Sequence, residues 1–145
     1  MTAYADTSLL LSLYVQDGNS PAAISRVQDH RPVLLLTPWG EAEFANAVEL
    51  RIFFRQWTAR EAHAVWDRFF EHLRAGVLQA ADPPPNLSEL VRLLARRHTS
   101  KLGIRTLDIV HVASALLLKP EVFYTFDRRQ AKLARAEGLR VLPAK

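Results

Sequence analysis

Apolar residues follow two rhythms along this chain: short compact runs, and longer stretches where they return every three or four positions. Compact runs read as buried strands and the longer rhythm as helices. Ala3-Tyr4-Ala5 is the first run. Leu9, Leu10, Leu13 and Tyr14 then take helical spacing, with Thr7 or Ser8 as the expected cap. Gly18-Asn19-Ser20-Pro21 stops that helix and starts another over Ala22 to Asp29, with Ser20 as N-cap. Val33 to Thr37, bounded by Pro32 and Pro38, predicts a second strand. Phe44, Ala47, Val48 and Ile52 return to helical spacing. A further helix is expected over Ala59 to Ala75, where Thr58 and Glu61 form a capping box. Its apolar side is Val65, Trp66, Phe69, Phe70 and Leu73. These two helices, at about 41–75, are expected to form an arm or hairpin beside a sheet.

Val77 to Ala80 is a third short strand, followed by a rigid Asp82-Pro83-Pro84-Pro85 break. Asn86 or Ser88 is expected to cap a helix that ends at Arg96-Arg97-His98, with Thr99 to Arg105 as a polar loop. Thr106 opens an apolar helix over Leu107 to Leu118. Val122 to Phe126 is a strand, Arg129 to Glu137 a helix and Leu139 to Leu142 the last strand. Helices crossing between short apolar strands imply an α/β fold: a mostly parallel sheet of about five strands, covered on both faces. No repeat or internal boundary divides residues 1–145, so one domain is expected.

Composition narrows this picture only a little. Apolar residues make up 49% of the 145, enough for a sizeable core and too many for a disordered chain. No apolar run reaches bilayer length, no basic segment precedes Leu9 to Val15, and Cys is absent. A cytoplasmic protein without membrane spans is therefore expected. The formal charge is +4, carried by 15 Arg and 4 Lys against 15 acids. That balance suits contact with a polyanion.

The acids change the picture more. Asp6 and Asp127 each follow a predicted strand, where open parallel sheets place their ligands. Glu43 begins the helix after the second strand, and Asp108 the helix before the fourth. All four are expected at one crevice, although Glu41 competes with Glu43. Clustered carboxylates repel one another, and hard Mg²⁺ or Mn²⁺ is their natural partner. A cation so held can activate water against a phosphodiester. Asn46, three residues after Glu43, is placed to orient it or a bound water, and Thr7 and Ser8 to bond a carboxylate, water or phosphate. Each acid also has an ordinary reading: Asp6 and Asp127 as helix caps, Glu43 and Asp108 as first-turn charges that complement a helix dipole. His111 reads as a satisfied helix histidine at the edge of the site, since no second His stands at ligand spacing. Arg105 and Arg128 neighbour the acids and are candidate contacts for a polyanion.

The set Tyr4-Ala5-Asp6-Thr7-Ser8, Glu43-Phe44-Ala45-Asn46-Ala47, Arg105 through Ala115, and Tyr124-Thr125-Phe126-Asp127-Arg128-Arg129-Gln130 resembles the PIN-domain proteins. Within them it is most similar to the toxins of VapBC toxin–antitoxin pairs. The resemblance spans essentially the whole chain. It implies a three-layer α/β/α sandwich and a Mg²⁺- or Mn²⁺-dependent endoribonuclease. It maps an acidic quartet onto Asp6, Glu43, Asp108 and Asp127, with Thr7 or Ser8, Asn46 and Thr125 as accessory positions. It further implies an RNA substrate, a cognate antitoxin and a homodimer. Three other readings stay open on the residues alone. A phosphatase using Asp6 would want a second aspartate where Ser8 stands. A non-catalytic binding protein would bind RNA or a partner without metal. A deoxyribonuclease would share the same chemistry.

Overall fold

A computed structural model describes residues 1–143. Its sheet has the strands β1 (Thr2–Ala5), β2 (Val33–Leu36), β3 (Leu78–Ala80), β4 (Val122–Tyr124) and β5 (Val141–Leu142). Their spatial order is β3-β2-β1-β4-β5, and every neighbouring pair is parallel. The helices are α1 (Thr7–Tyr14), α2 (Ser20–His30), α3 (Pro38–Phe53), α4 (Ala59–Arg74), α5 (Leu87–Leu102), α6 (Thr106–Leu118) and α7 (Arg128–Ala136).

The pleat of the central strand explains the layers. Side chains alternate across a strand. Ala3 and Ala5 face one core, built with Leu9, Leu10, Phe44, Val48, Val65 and Phe69 from α1, α3 and α4. Tyr4 faces the other, built with Leu94, Ile109, Val112 and Leu133 from α5, α6 and α7. β4 repeats the division: Val122 and Tyr124 join the first core and Phe123 the second. Phe123 stacks on Tyr4 with ring centroids 5.4 Å apart. The result is an α/β/α sandwich. Burying one side chain of the size of Phe69 contributes about 1.5–3 kcal/mol.

α3 and α4 pack through an aromatic cluster. Phe44 stacks on Phe69 at 5.2 Å, and Trp66 meets both edge-on. The junction after α3 leaves Phe53 and Phe54 exposed, at 76% and 62%. The start of α3 is set by Thr37, whose hydroxyl accepts the Gly40 amide at 3.2 Å, with Pro38 in the first turn. Gly40 lets this turn approach the sheet and α6 closely. A Cβ there would lie 3.2 Å from Leu36 Cδ1 and 3.5 Å from His111 Cε1.

Several expected boundaries shift. Thr99 to Leu102 belong to α5, not to a loop; their backbone continues the helix until Gly103 turns left-handed at φ 61°. Asp6, rather than Thr7 or Ser8, caps α1. Asn19, not Ser20, precedes α2, and makes no side-chain cap. Asn86 precedes α5 at φ 65°, also without a side-chain cap. Arg105, not Thr106, holds the cap position of α6. β4 stops at Tyr124, two residues short of the expected end, although the Thr125 amide still donates to the Leu142 carbonyl of β5 at 3.0 Å. The Thr58–Glu61 cap is present, with the Glu61 amide 3.2 Å from Thr58 Oγ1. Among the described residues, no helix is long and apolar enough to cross a membrane.

Candidate functional site

β1 is the central strand, with β2 on one side and β4 on the other. The chain leaves β1 toward one half of the sheet and returns later to build the other. Such a switch point opens a crevice at the C-terminal edge of the strands. α1, α3 and α7 begin at that edge because they follow β1, β2 and β4. α6 also begins there, because it runs back toward the start of β4. Topology therefore brings Asp6, Glu43, Asp108 and Asp127 to one edge. Their contacts divide them into linked sets.

Asp6 is fully buried. Its amide donates to the Tyr124 carbonyl at 3.1 Å, extending the β1–β4 ladder into the site. Its carboxylate accepts from the Leu9 amide at 2.9 Å, from Ser8 Oγ at 2.7 and 2.9 Å, and from Thr125 Oγ1. Burial pushes the carboxyl up, although donors from Thr125, Leu9 and Ser8 pull the other way. Thr125 also accepts the Asp127 amide at 2.9 Å. Asp127 is the N-cap of α7: its Oδ1 takes the amides of Arg129 and Gln130 at 2.8 and 2.9 Å. The ordinary cap readings of both aspartates thus hold, and for Asp6 the cap uses only part of the carboxylate.

Asp108 is buried in the first turn of α6. Gln130 Nε2 donates to its Oδ1 at 3.0 Å and so ties α6 to α7. Its Oδ2 is buried without a hydrogen-bond partner, and Arg105 Nε lies 3.6 Å away.

Glu43 faces the other wall. It accepts from Thr7 Oγ1 at 2.9 Å and pairs with His111 Nε2. Burial works to raise this carboxyl. The hydrogen bond and charge of His111, the Thr7 bond and the Arg105 charge together outweigh it and hold the group below its ordinary value. A carboxylate only accepts, so His111 Nε2 carries the donated proton. His111 Nδ1 meets the Tyr4 hydroxyl at 2.8 Å. Tyr4 is buried, and burial raises its pKa well above the usual phenol range, so the hydroxyl stays protonated. His111 thus bridges the two walls, donating to Glu43 from Nε2 and hydrogen-bonded to the Tyr4 hydroxyl at Nδ1. Glu41 makes no recorded contact with this network among the described residues, and Asn46 is exposed.

Whether these groups suit a cation depends on their donor chemistry. Carboxylate oxygens are the ligands that Mg²⁺ and Mn²⁺ prefer, and Asp108 Oδ2 is a buried acceptor with no donor. Among the described residues, no three His, Asp or Glu side chains stand close enough to form a cage. Mg²⁺ commonly takes one or two carboxylates and completes its shell with waters and substrate phosphates. The donor set therefore fits such a cation without a preformed four-carboxylate cage. The sequence carries no mark of the Gln130–Asp108 contact or of the Tyr4–His111 contact. The lone helical Gly40 was the available signal for close packing around His111, since glycine inside a helix is costly unless space demands it.

No curated protein sequence matches the chain. Solved structures do match in fold. VapC20 of Mycobacterium tuberculosis, described as a sarcin–ricin loop cleaving toxin, has 20% identity and a TM-score of 0.66 over 95% of this chain and 96% of its own. VapBC2 of Rickettsia felis, bound to a DNA fragment from their promoter, has 14% identity and a TM-score of 0.67 over 97% of both chains. FitAcB of Neisseria gonorrhoeae has 14% identity and a TM-score of 0.68 over 97% and 96%. These likenesses establish a shared fold. A family profile adds descent, because the PIN domain profile matches residues 3–136, from the first residues of β1 to the end of α7. The chain belongs to the PIN-domain family.

Proposed function

We infer that this PIN domain is a Mg²⁺- or Mn²⁺-dependent endoribonuclease, and that it is the toxin of a toxin–antitoxin pair. The observation that carries this reading is the pair of buried aspartates at the sheet edge, Asp6 and Asp108, the latter with an oxygen that accepts no hydrogen bond and has Arg105 beside it at 3.6 Å. Family membership and the VapC-like fold support it. Asp6 and Asp108 would hold the cation, with Asp127 and Glu43 completing its shell or binding its waters. When bound, the cation supplies a nucleophilic water at neutral pH and neutralises charge on the phosphate.

The chain's own groups do the positioning. Ser8, Thr125 and the Leu9 amide fix the Asp6 carboxylate on the crevice floor. Gln130 fixes Asp108 through one oxygen and leaves the other for a ligand. His111 and Thr7 keep Glu43 ionised, ready to accept a hydrogen bond from water. Arg105, whose Nε lies 3.6 Å from Asp108, offers charge to an incoming phosphate. An antitoxin protein as partner and a homodimer as the working form belong to the same reading.

The test is cleavage of total RNA by purified wild type and Asp6→Asn protein, with Mg²⁺, Mn²⁺ or excess EDTA and no antitoxin. Discrete fragments that require both metal and Asp6 are expected. Cleavage by Asp6→Asn at the wild-type rate would overturn the assignment. A second reading, metal-indifferent RNA binding without catalysis, draws on the absence of a three-residue cage among the described residues. It predicts RNA binding that EDTA leaves unchanged, with no fragments in any condition.

A further inference from the structure

One cleft begins at the carboxylates and runs on past the residues that the chemistry above uses. It has a volume of about 440 Å³, with walls formed by α7 and by Asn19 at the α1–α2 junction. Thr125, Phe126 and Asp127 stand at one end. Arg128, Lys132 and Arg135 line it along α7. Their spacing of four and three residues puts all three on one helix face. All three are exposed, and among the described residues none forms an ion pair. The cationic face is therefore available to a ligand.

We propose that this cleft is a binding subsite for the single-stranded RNA that flanks the scissile phosphodiester. The proposal rests on the ribonuclease reading above. Proximity argues for it: Asp127 and Thr125 both line the cleft and Thr125 donates to Asp6, so a strand lying in the cleft ends beside the proposed centre. Charge argues for it too. Three cations in a row match the repeating phosphates of a polynucleotide, and cations beside an acidic centre hold a polyanion that the acids alone would repel. Partly buried Phe126 lines the cleft while packing against the first core, which leaves a firm apolar wall beside the cations. The volume lies within the range of small-ligand clefts, about 300–1,000 Å³, which suits an unpaired nucleotide rather than a duplex.

The test separates binding from cleavage. Asp6→Asn protein in EDTA is titrated with a labelled oligouridylate of about ten nucleotides, within the usual span of single-strand sites. The Lys132→Gln, Arg135→Gln pair is compared with Arg74→Gln, Arg92→Gln, which removes equal charge from exposed sites on α4 and α5. The first pair is expected to weaken binding about tenfold and to flatten log K against log salt by about 1.4, at ~0.7 per lost contact. The second pair is expected to leave both nearly unchanged. Equal weakening by both pairs, or by neither, overturns the cleft. A polyglutamate that displaces the RNA at matched charge overturns it in favour of an acidic protein segment. The two hypotheses fail separately. Metal- and Asp6-dependent cleavage by wild type, with binding that ignores the cleft, sinks the subsite alone. Cleft-dependent binding without such cleavage sinks the ribonuclease reading and leaves the cleft as an RNA-binding site.

Discussion

Thr125 Oγ1 donates to the Asp6 carboxylate across 119 residues of sequence and accepts the Asp127 amide at 2.9 Å. One hydroxyl thus ties the ends of β1 and β4 to the cap of α7. The backbone amide of Thr125 meanwhile stays tied to the sheet, donating to the Leu142 carbonyl of β5 at 3.0 Å.

Asp6→Asn should raise the melting temperature of the metal-free protein. Burial lifts the folded pKa of Asp6 above its ordinary 3.8, so the native state binds the proton more tightly than the unfolded chain. Wild-type stability therefore falls as pH rises from 3.8 through the folded value, then levels. The Asn variant lacks this loss, and Ser8 and Thr125 can rotate to accept from its amide. Thermal melts in EDTA across that range should show an advantage that grows with pH and then stays constant. A variant less stable than wild type at neutral pH would contradict the account.

His111→Phe should destabilise through two separable effects. Tyr4 loses its 2.8 Å partner, a pH-independent cost of about 1–3 kcal/mol for a buried hydroxyl. Glu43 loses the contact that holds its pKa below 4.5. The stabilisation from a depressed carboxyl is present above the unfolded pKa and lost as pH falls through the folded one. The deficit of the variant should therefore be larger at about pH 7 than at about pH 3, because the Glu43 share shrinks as pH falls toward the folded value. Urea unfolding at both values measures it, and an equal deficit at both would refute the Glu43 share.

Gln130→Leu keeps the volume and removes the donor to Asp108. It should cost about 1–3 kcal/mol, because a buried acceptor loses its only hydrogen bond. Combined with Asp108→Ala in a double-mutant cycle, it should show a coupling of about 0.5–3 kcal/mol. Additive effects would mean that the 3.0 Å contact contributes nothing.

The parallel sheet was legible because its strands are short apolar runs between prolines and caps, and because the helices between them leave little freedom of topology. The placement of four acids at one edge followed from that topology. The contacts among them did not. Glu43 and His111 are 68 residues apart, and neither residue carries a local mark of the other. Gln130 reads as a helix surface residue until α6 and α7 are packed together. The end of α5 was misread because Thr99, Ser100 and Lys101 are polar. Polarity there marks an outer helix face, and only the left-handed Gly103 marks the stop. The caps misread at Ser20 and Ser88 have a related cause: hydroxyl residues signal a helix start, but the backbone decides whether the side chain reaches it.

Both outer strands of the sheet are short, three residues in β3 and two in β5, and both lead into proline, at Pro83 to Pro85 and at Pro143. Open backbone at a sheet edge invites another chain to add a strand, and brevity together with proline discourages it. This molecule is thereby poorly suited to fibre-like stacking. It is equally poorly suited to greeting a partner through main-chain pairing. Such a molecule is better suited to recognition through side chains, where identity is written in shape and charge rather than in a ladder that any extended peptide can join.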